Sequence, residues 1–282
     1  MFLKKLHRSR KGVSNIISII LITGIMVTSV ALTYSYIIPT IETGRIKATL
    51  STSALFLTKM DGAIQTLLYD GVGATRTLEV DAFAGDLEFK TQGLNVRAFI
   101  DGALYFPIPG LSFGLAELDI PSEQAIMNRN QIQYIKGGTN SPLAVIDDGS
   151  ADPAMILLER VESSLYRLEL WYRLLFHVRD TGVGGTIDVS FIVIEFQSSE
   201  SIRGLNSGTY SLLLNKSSVE VNPTRYGFTV AGEPITTSGN DFYITINKDS
   251  GPRVIFSSIG ARTSVSFNLV VMKIGIDIIE LD

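Results

Sequence analysis

Three groupings in this sequence carry residue types that could do chemistry. Gly110-Leu111-Ser112-Phe113-Gly114 matches the G-x-S-x-G pattern, in which a serine on a sharp strand-to-helix turn is activated by a histidine base. Pro107, Pro109 and Pro121 flank it and predict an irregular loop instead. The chain has two histidines, His7 and His177. His177 lies on the polar phase of an alternating segment, between arginines, and reads as an outward side chain. Asp147, Asp148 and Asp152 gather carboxylates of the kind calcium prefers, but their spacing is not that of an EF-hand loop, and a solvated acidic turn is the simpler reading. Asn215-Lys216-Ser217 is an N-glycosylation sequon and makes Asn215 a candidate acceptor; Asn222 precedes Pro223 and is excluded. Cysteine is absent, which removes disulfides, thiol nucleophiles and thiolate metal sites. No catalytic residue, cofactor-binding residue or metal-ligand set emerges, and no enzyme or cofactor is expected.

The elements that would carry these residues explain the shortage better than any one motif does. Of 282 residues, 45% are hydrophobic and only 18% charged, which fits a large core or a membrane segment. The net charge of −4 is unevenly spread. Lys4, Lys5, Arg8, Arg10 and Lys11 fall within the first eleven residues, which hold no acid. Without those five, 24 − 5 = 19 basic residues face 28 acidic ones, so the remainder carries −9. An acidic body repels phosphate backbones, and no nucleic-acid partner is expected. Residues 13–41 carry no charge at all. The first 26 of them, VSNIISIILITGIMVTSVALTYSYII, exceed the ~20 apolar residues that span a bilayer as a helix. Tyr34 and Tyr36 sit near the far end as interfacial aromatics, and the basic cluster places the N-terminus inside and the rest outside. Such a span can be kept as an anchor, or be cut at the small-x-small sequence Ser29-Val30-Ala31 by signal peptidase. A third fate turns on Arg10-Lys11-Gly12.

A short basic leader ending in Lys11-Gly12, then Val13-Ser14-Asn15 and a long apolar run, resembles the class III signal peptide of archaeal type IV pilins. The resemblance covers about the first 40 residues. It implies cleavage between Gly12 and Val13 by a membrane-embedded prepilin peptidase, with the helix kept for packing against copies of itself or other pilins. It further implies a pilus assembly ATPase and membrane platform as partners. Bacterial pilins carry a glutamate five residues into the mature chain; Ile17 stands there here, as suits the archaeal branch. A mature chain of 282 − 12 = 270 residues favours a minor or specialised subunit over a major one. The alternative is a membrane-anchored outer β-domain that binds or adheres without polymerising.

Beyond the span, Ile46, Leu50, Ala54, Leu57, Ile64 and Leu68 recur at helical spacing, so the helix should continue to about residue 70, where Asp70-Gly71 ends it. Pro39 predicts a kink or short break, with Gly44 adding softness. From residue 14 to 69 the helix would measure roughly 84 Å at 1.5 Å per residue, far more than a membrane needs, so its outer stripe must bury against the following domain or a neighbouring subunit.

After Gly73 the period falls to two. Residues 166–179 alternate without a miss and predict one long strand, paired through a glycine-rich turn at 180–185 with 187–196. Shorter strands are expected around Leu78, Leu87, Val96 and Leu104, with turns at Ala84-Gly85, Gly93 and Asp101-Gly102, and another at 242–246. The last strand changes phase between Val271 and Lys273, which predicts a β-bulge or a move between sheets. The expected architecture is α+β: leader 1–12, helix 13–70, and a β-sandwich over 71–282 of one or two units, the latter suggested by an echo between residues 70–73 and 182–185.

Overall fold

A computed structural model describes residues 3–80, 85–100, 103–137, 144–146, 152–180, 186–198, 201–202, 209–222, 242–246, 253–255 and 264–281, some of them, residues 3–14 included, by backbone alone. The fold is α+β, one long helix followed by a strand-rich body with two sheets. The chain divides into two compact units, residues 1–48 with 124–126, and residues 49–123 with 127–282.

Helix α1 runs over Leu3–Tyr69 and takes in residues of the basic leader. It contains Pro39, and helical structure continues on both sides. The expected break is therefore absent. Proline removes one N–H donor, the one that would have bonded the Ser35 carbonyl a turn earlier. The helix ends where Asp70 N–H bonds the Leu67 carbonyl and Gly73 takes φ of 89°, a left-handed turn open to glycine.

The strands are β1 (Thr75–Val80), β2 (Asp86–Ile100), β3 (Ala103–Pro121), β4 (Ile132–Lys136), β5 (Ala144–Ile146), β6 (Ala154–Glu162), β7 (Leu165–Tyr172), β8 (Leu174–Asp180), β9 (Thr186–Gln197), β10 (Ser201–Ile202), β11 (Thr209–Val221), β12 (Phe242–Ile246), β13 (Arg253–Ile255) and β14 (Ser264–Leu281). One sheet orders them β1-β11-β14-β9-β8-β5; the other orders them β13-β12-β2-β3-β7-β6-β4, with β10 on β2.

Four expectations change here. The long strand over 166–179 is two strands, β7 in the second sheet and β8 in the first, separated at Arg173. Arg173 N–H bonds Pro153 O at 2.7 Å, so the backbone is satisfied while the chain crosses between sheets. Only the β8 half forms the expected antiparallel pair with β9; β7 lies between β3 and β6. Gly93 is no turn, since β2 passes through it. The phase change from Leu87 and Phe89 to Val96 is absorbed by a register shift between Leu94 and Val96. The proline-flanked serine motif is not a loop but lies within β3, antiparallel to β2. Finally, the irregularity expected at 271–273 sits on the neighbouring strand. β11 shifts register between Lys216 and Ser218, opposite Ile274 and Lys273, while β14 continues parallel to β9 across the same residues. The Asp101-Gly102 turn, Ala84, and residues 181–185 lie outside the described residues.

Aromatic contacts join the sheets. Phe196 of β9 stands edge-on to Phe89 of β2 at 6.1 Å and to Tyr172 of β7 at 5.9 Å. Gly114 makes this approach feasible, because a Cβ there would lie 2.6 Å from the Phe196 ring. Phe176, Phe191 and Phe267 continue the core on the first sheet. The last turns of α1 belong to the same core: Leu57, Met60, Ile64 and Leu67 are fully buried, with Leu50 and Phe56 nearly so. Burying six such side chains contributes on the order of 10 kcal/mol.

Candidate functional site: an exposed apolar helix and its anchor

Among the described residues the feature that asks for a function is α1 itself. Its apolar window is wholly unburied. Ile19 is 64% exposed and Met26 65%, and the large side chains from Ile16 to Ile41 are exposed throughout. Among the described residues this is the one helix long and apolar enough to cross a membrane. Residues 15–41 would extend roughly 40 Å, enough for a ~30 Å hydrocarbon core. Two hydroxyls within it are satisfied by the helix's own backbone. Thr28 Oγ1 donates to Gly24 O at 2.7 Å and Ser35 Oγ to Leu32 O at 3.1 Å, which is how hydroxyls are tolerated in lipid. A soluble core helix would bury such a face; its exposure and length fit a single membrane-spanning helix.

The other end of α1 is fixed by two polar devices. The first surrounds Asp61, whose residue is 1% exposed although it falls on the apolar stripe between Leu57 and Ile64. Its Oδ1 accepts from Tyr172 OH at 3.0 Å, and Gln65 Nε2 donates to its two oxygens at 3.1 and 3.0 Å. Lys136 of β4 pairs with Asp61, and its Nζ lies 2.5 Å from Asp152 Oδ2. Asp152 also accepts from Gln65 Nε2 and from the Ala154 N–H, each at 3.0 Å. Arg173 follows in the chain, with Nη2 on the Asp152 carbonyl. Burial and the neighbouring Asp61 push the Tyr172 phenol well above its usual range. Burial lowers Lys136, but hydrogen bonds to Asp152 and Asp61 outweigh it and its net shift is upward. Burial lowers Arg173, with Asp152 opposing. An unpaired buried carboxylate would be costly, so this network is what permits Asp61 on the stripe.

The second device is Lys216 of β11, 5% exposed. The last turn of α1 has no basic residue of its own. Lys216 Nζ, 148 residues downstream, donates to Leu68 O at 2.9 Å and Asp70 O at 2.7 Å, meeting both the orphan carbonyls and the negative end of the helix dipole. The Asp61 network thus ties the final turns to one sheet through β4 and β7, and Lys216 ties them to the other.

The sequence-predicted residues fall elsewhere. Lys11, Gly12 and Val13 lie in the helical backbone of α1, with their side chains outside the described residues. Asn215 is mid-strand in β11, opposite Thr75 and Gly275, its amide lying over the Gly275 backbone, while Ser217 Oγ donates to Gln197 Oε1 at 2.9 Å and to Lys273 O at 3.0 Å. Ser112 Oγ donates to Glu195 Oε1 at 2.8 Å. Exposed His177 is on β8 of the opposite sheet. Residues 147–151 of the acidic cluster lie outside the described residues; Asp152 is the one brought into the Lys136 network. Asp61, Lys136, Tyr172 and Lys216 were not foreseen. A carboxylate on an apolar helical stripe was the available signal for Asp61. No family model, curated protein or solved structure matches this chain.

Proposed function

We propose that this chain is a pilin-like structural subunit of an archaeal type IV pilus-type surface filament, inserted through α1 with its N-terminus inside the cell. In this reading a prepilin peptidase removes the leader after Gly12, and the kept helix then moves from lipid into contact with neighbouring helices. An assembly ATPase and a membrane platform would drive that transfer. The role is assembly, not catalysis. The supporting observation is one helix with two opposite surfaces: an apolar stretch exposed on every side, and final turns built into the core of the β-body. An exposed apolar surface of that length suits lipid first and like helices afterwards, since both are equally apolar solvents for it. The −9 charge of the body is compatible with facing water.

The test is Gly12→Leu. A peptidase that requires a small residue at the cut leaves this variant with its leader, and electron microscopy then finds it absent from filaments while membrane fractions retain it. A second reading is an anchored β-domain that binds without polymerising, for which the same exposed apolar helix serves only as an anchor. That reading predicts that Gly12→Leu leaves the N-terminus, location and binding unchanged.

A further inference from the structure

The geometry points to an intramolecular amide bond between the Lys136 side chain and the Asp61 carboxyl, fastening α1 covalently to the β-body. Every part that such a condensation needs is present around Asp61. The nucleophile, Lys136 Nζ, contacts the Asp61 carboxylate directly. A second carboxylate, Asp152, lies 2.5 Å from the same Nζ and can carry protons. Two neutral donors face the Asp61 oxygens, Tyr172 OH at 3.0 Å and Gln65 Nε2 at 3.1 and 3.0 Å, where they would steady the charge of a tetrahedral centre. The Asp61 carboxyl itself is shut off from water beside Tyr172, Met60 and Ile64, while Lys136 and Asp152 reach it from a partly exposed side, 26% and 40% exposed. Groups held in such contact react with effective molarities of roughly 10⁵ M or more. Among the described lysine–carboxylate contacts, Asp61 is the most buried acid, its side chain 2% exposed against 10% for Glu117 and 32% for Glu220.

The step balances without an oxidant or cofactor. Lys136 passes one proton to Asp152, and its free amine attacks Cγ of Asp61. Asp152 then relays protons to one Asp61 oxygen, which leaves as water. One N–C bond forms, one C–O bond breaks, two ammonium protons depart in the water, and Asp152 ends as it began. The ion pair is the starting state, so the reaction is a slow, single maturation event. In a chain without cysteine it would do for the helix what a disulfide does elsewhere. The inference does not depend on whether the chain polymerises.

The experiment is peptide mapping of the full-length protein by tandem mass spectrometry, with intact mass measured alongside. The expected result is a chain lighter by one water for whichever N-terminus it carries, with a branched peptide joining Lys136 to Asp61. Lys136→Arg, which keeps the charge but forms no such amide, restores the full mass, and Asp152→Asn slows or abolishes the condensation. Full mass in the unmodified protein with separate Lys136 and Asp61 peptides overturns the proposal. So does a water loss that persists in Lys136→Arg, because Asp61-Gly62 could then have cyclised to a succinimide on its own.

Discussion

Replacing Lys216 by methionine tests whether the final turns of α1 are held by the β-body or merely lie beside it. Methionine keeps an unbranched apolar stem of similar length and removes only the ammonium. Two hydrogen bonds from a charged donor are lost, at 2.9 Å to Leu68 O and 2.7 Å to Asp70 O. Each such bond is worth about 1.5–3 kcal/mol, and the helix-end dipole adds about 0.5. Against this, Lys216 is 5% exposed, so removing a buried charge recovers part of its desolvation cost. The net expectation is a loss of about 2 kcal/mol, or a fall of roughly 6 °C in Tm for a body of this size. The assay is urea unfolding of the full chain in detergent, followed by the fluorescence of the single tryptophan. Trp171 lies on β7 with its ring 5.6 Å from Phe113, well placed to report loss of the β-body. Amide hydrogen exchange should quicken in the last turn of α1. Lys59→Met, on an exposed face of the same helix, should stay within about 0.5 kcal/mol of the parent. If Lys216→Met matches that control in both stability and exchange, the clamp contributes nothing and the reasoning fails.

Gly114→Ala places a Cβ 2.6 Å from the Phe196 ring and should destabilise by about 1–3 kcal/mol, with Phe196→Leu in the same chain recovering part of the loss; an unchanged urea midpoint would show that the sheets have slack there. Burial, and then the opposing Glu117, raise the Glu169 carboxyl. A raised carboxyl favours folding only below its unfolded pKa and disfavours it once ionised, so Glu169→Gln should stabilise the protein at neutral pH by about 0.5 kcal/mol. An unfolding midpoint that moves the other way at neutral pH refutes this. The raised Tyr172 phenol stabilises fully below its unfolded pKa and loses that contribution as pH climbs toward its folded one, so stability should decline from about pH 10 upward. Tyr172→Phe, less stable at neutral pH, should flatten that alkaline decline; an identical slope in both proteins refutes the assignment.

The long helix and the β-rich body were legible because each rests on a local period. The stripe Leu50, Leu57, Ile64 follows helical spacing and is buried as such, and β7 alternates as its residues do. What escaped is non-local. Nothing in residues 166–179 says that the strand changes sheets at Arg173, because alternation is the same on either sheet. The parallel pairing of β14 with β9 joins segments far apart in the chain and leaves no local mark. A phase change announces an irregularity without saying which strand bears it. Gly93 and the register shift after it show this, as does the shift on β11 opposite the phase change of β14. Pro39 does not break the helix, because a single missing donor is tolerated in a long one. The anchor was half visible: Asp61 broke an apolar stripe, but its partners Lys136, Asp152 and Tyr172 come from separate strands and loops that only the fold brings together.

The central claim is that α1 is kept and trimmed only of its basic leader. Mass spectrometry of the N-terminal peptide of the protein taken from its native cell envelope tests it most directly. The account predicts a mature chain beginning at Val13. A chain beginning at Met1 would make it an uncleaved anchor, and one beginning at Leu32 would mean that the apolar span is discarded; either contradicts assembly through this helix.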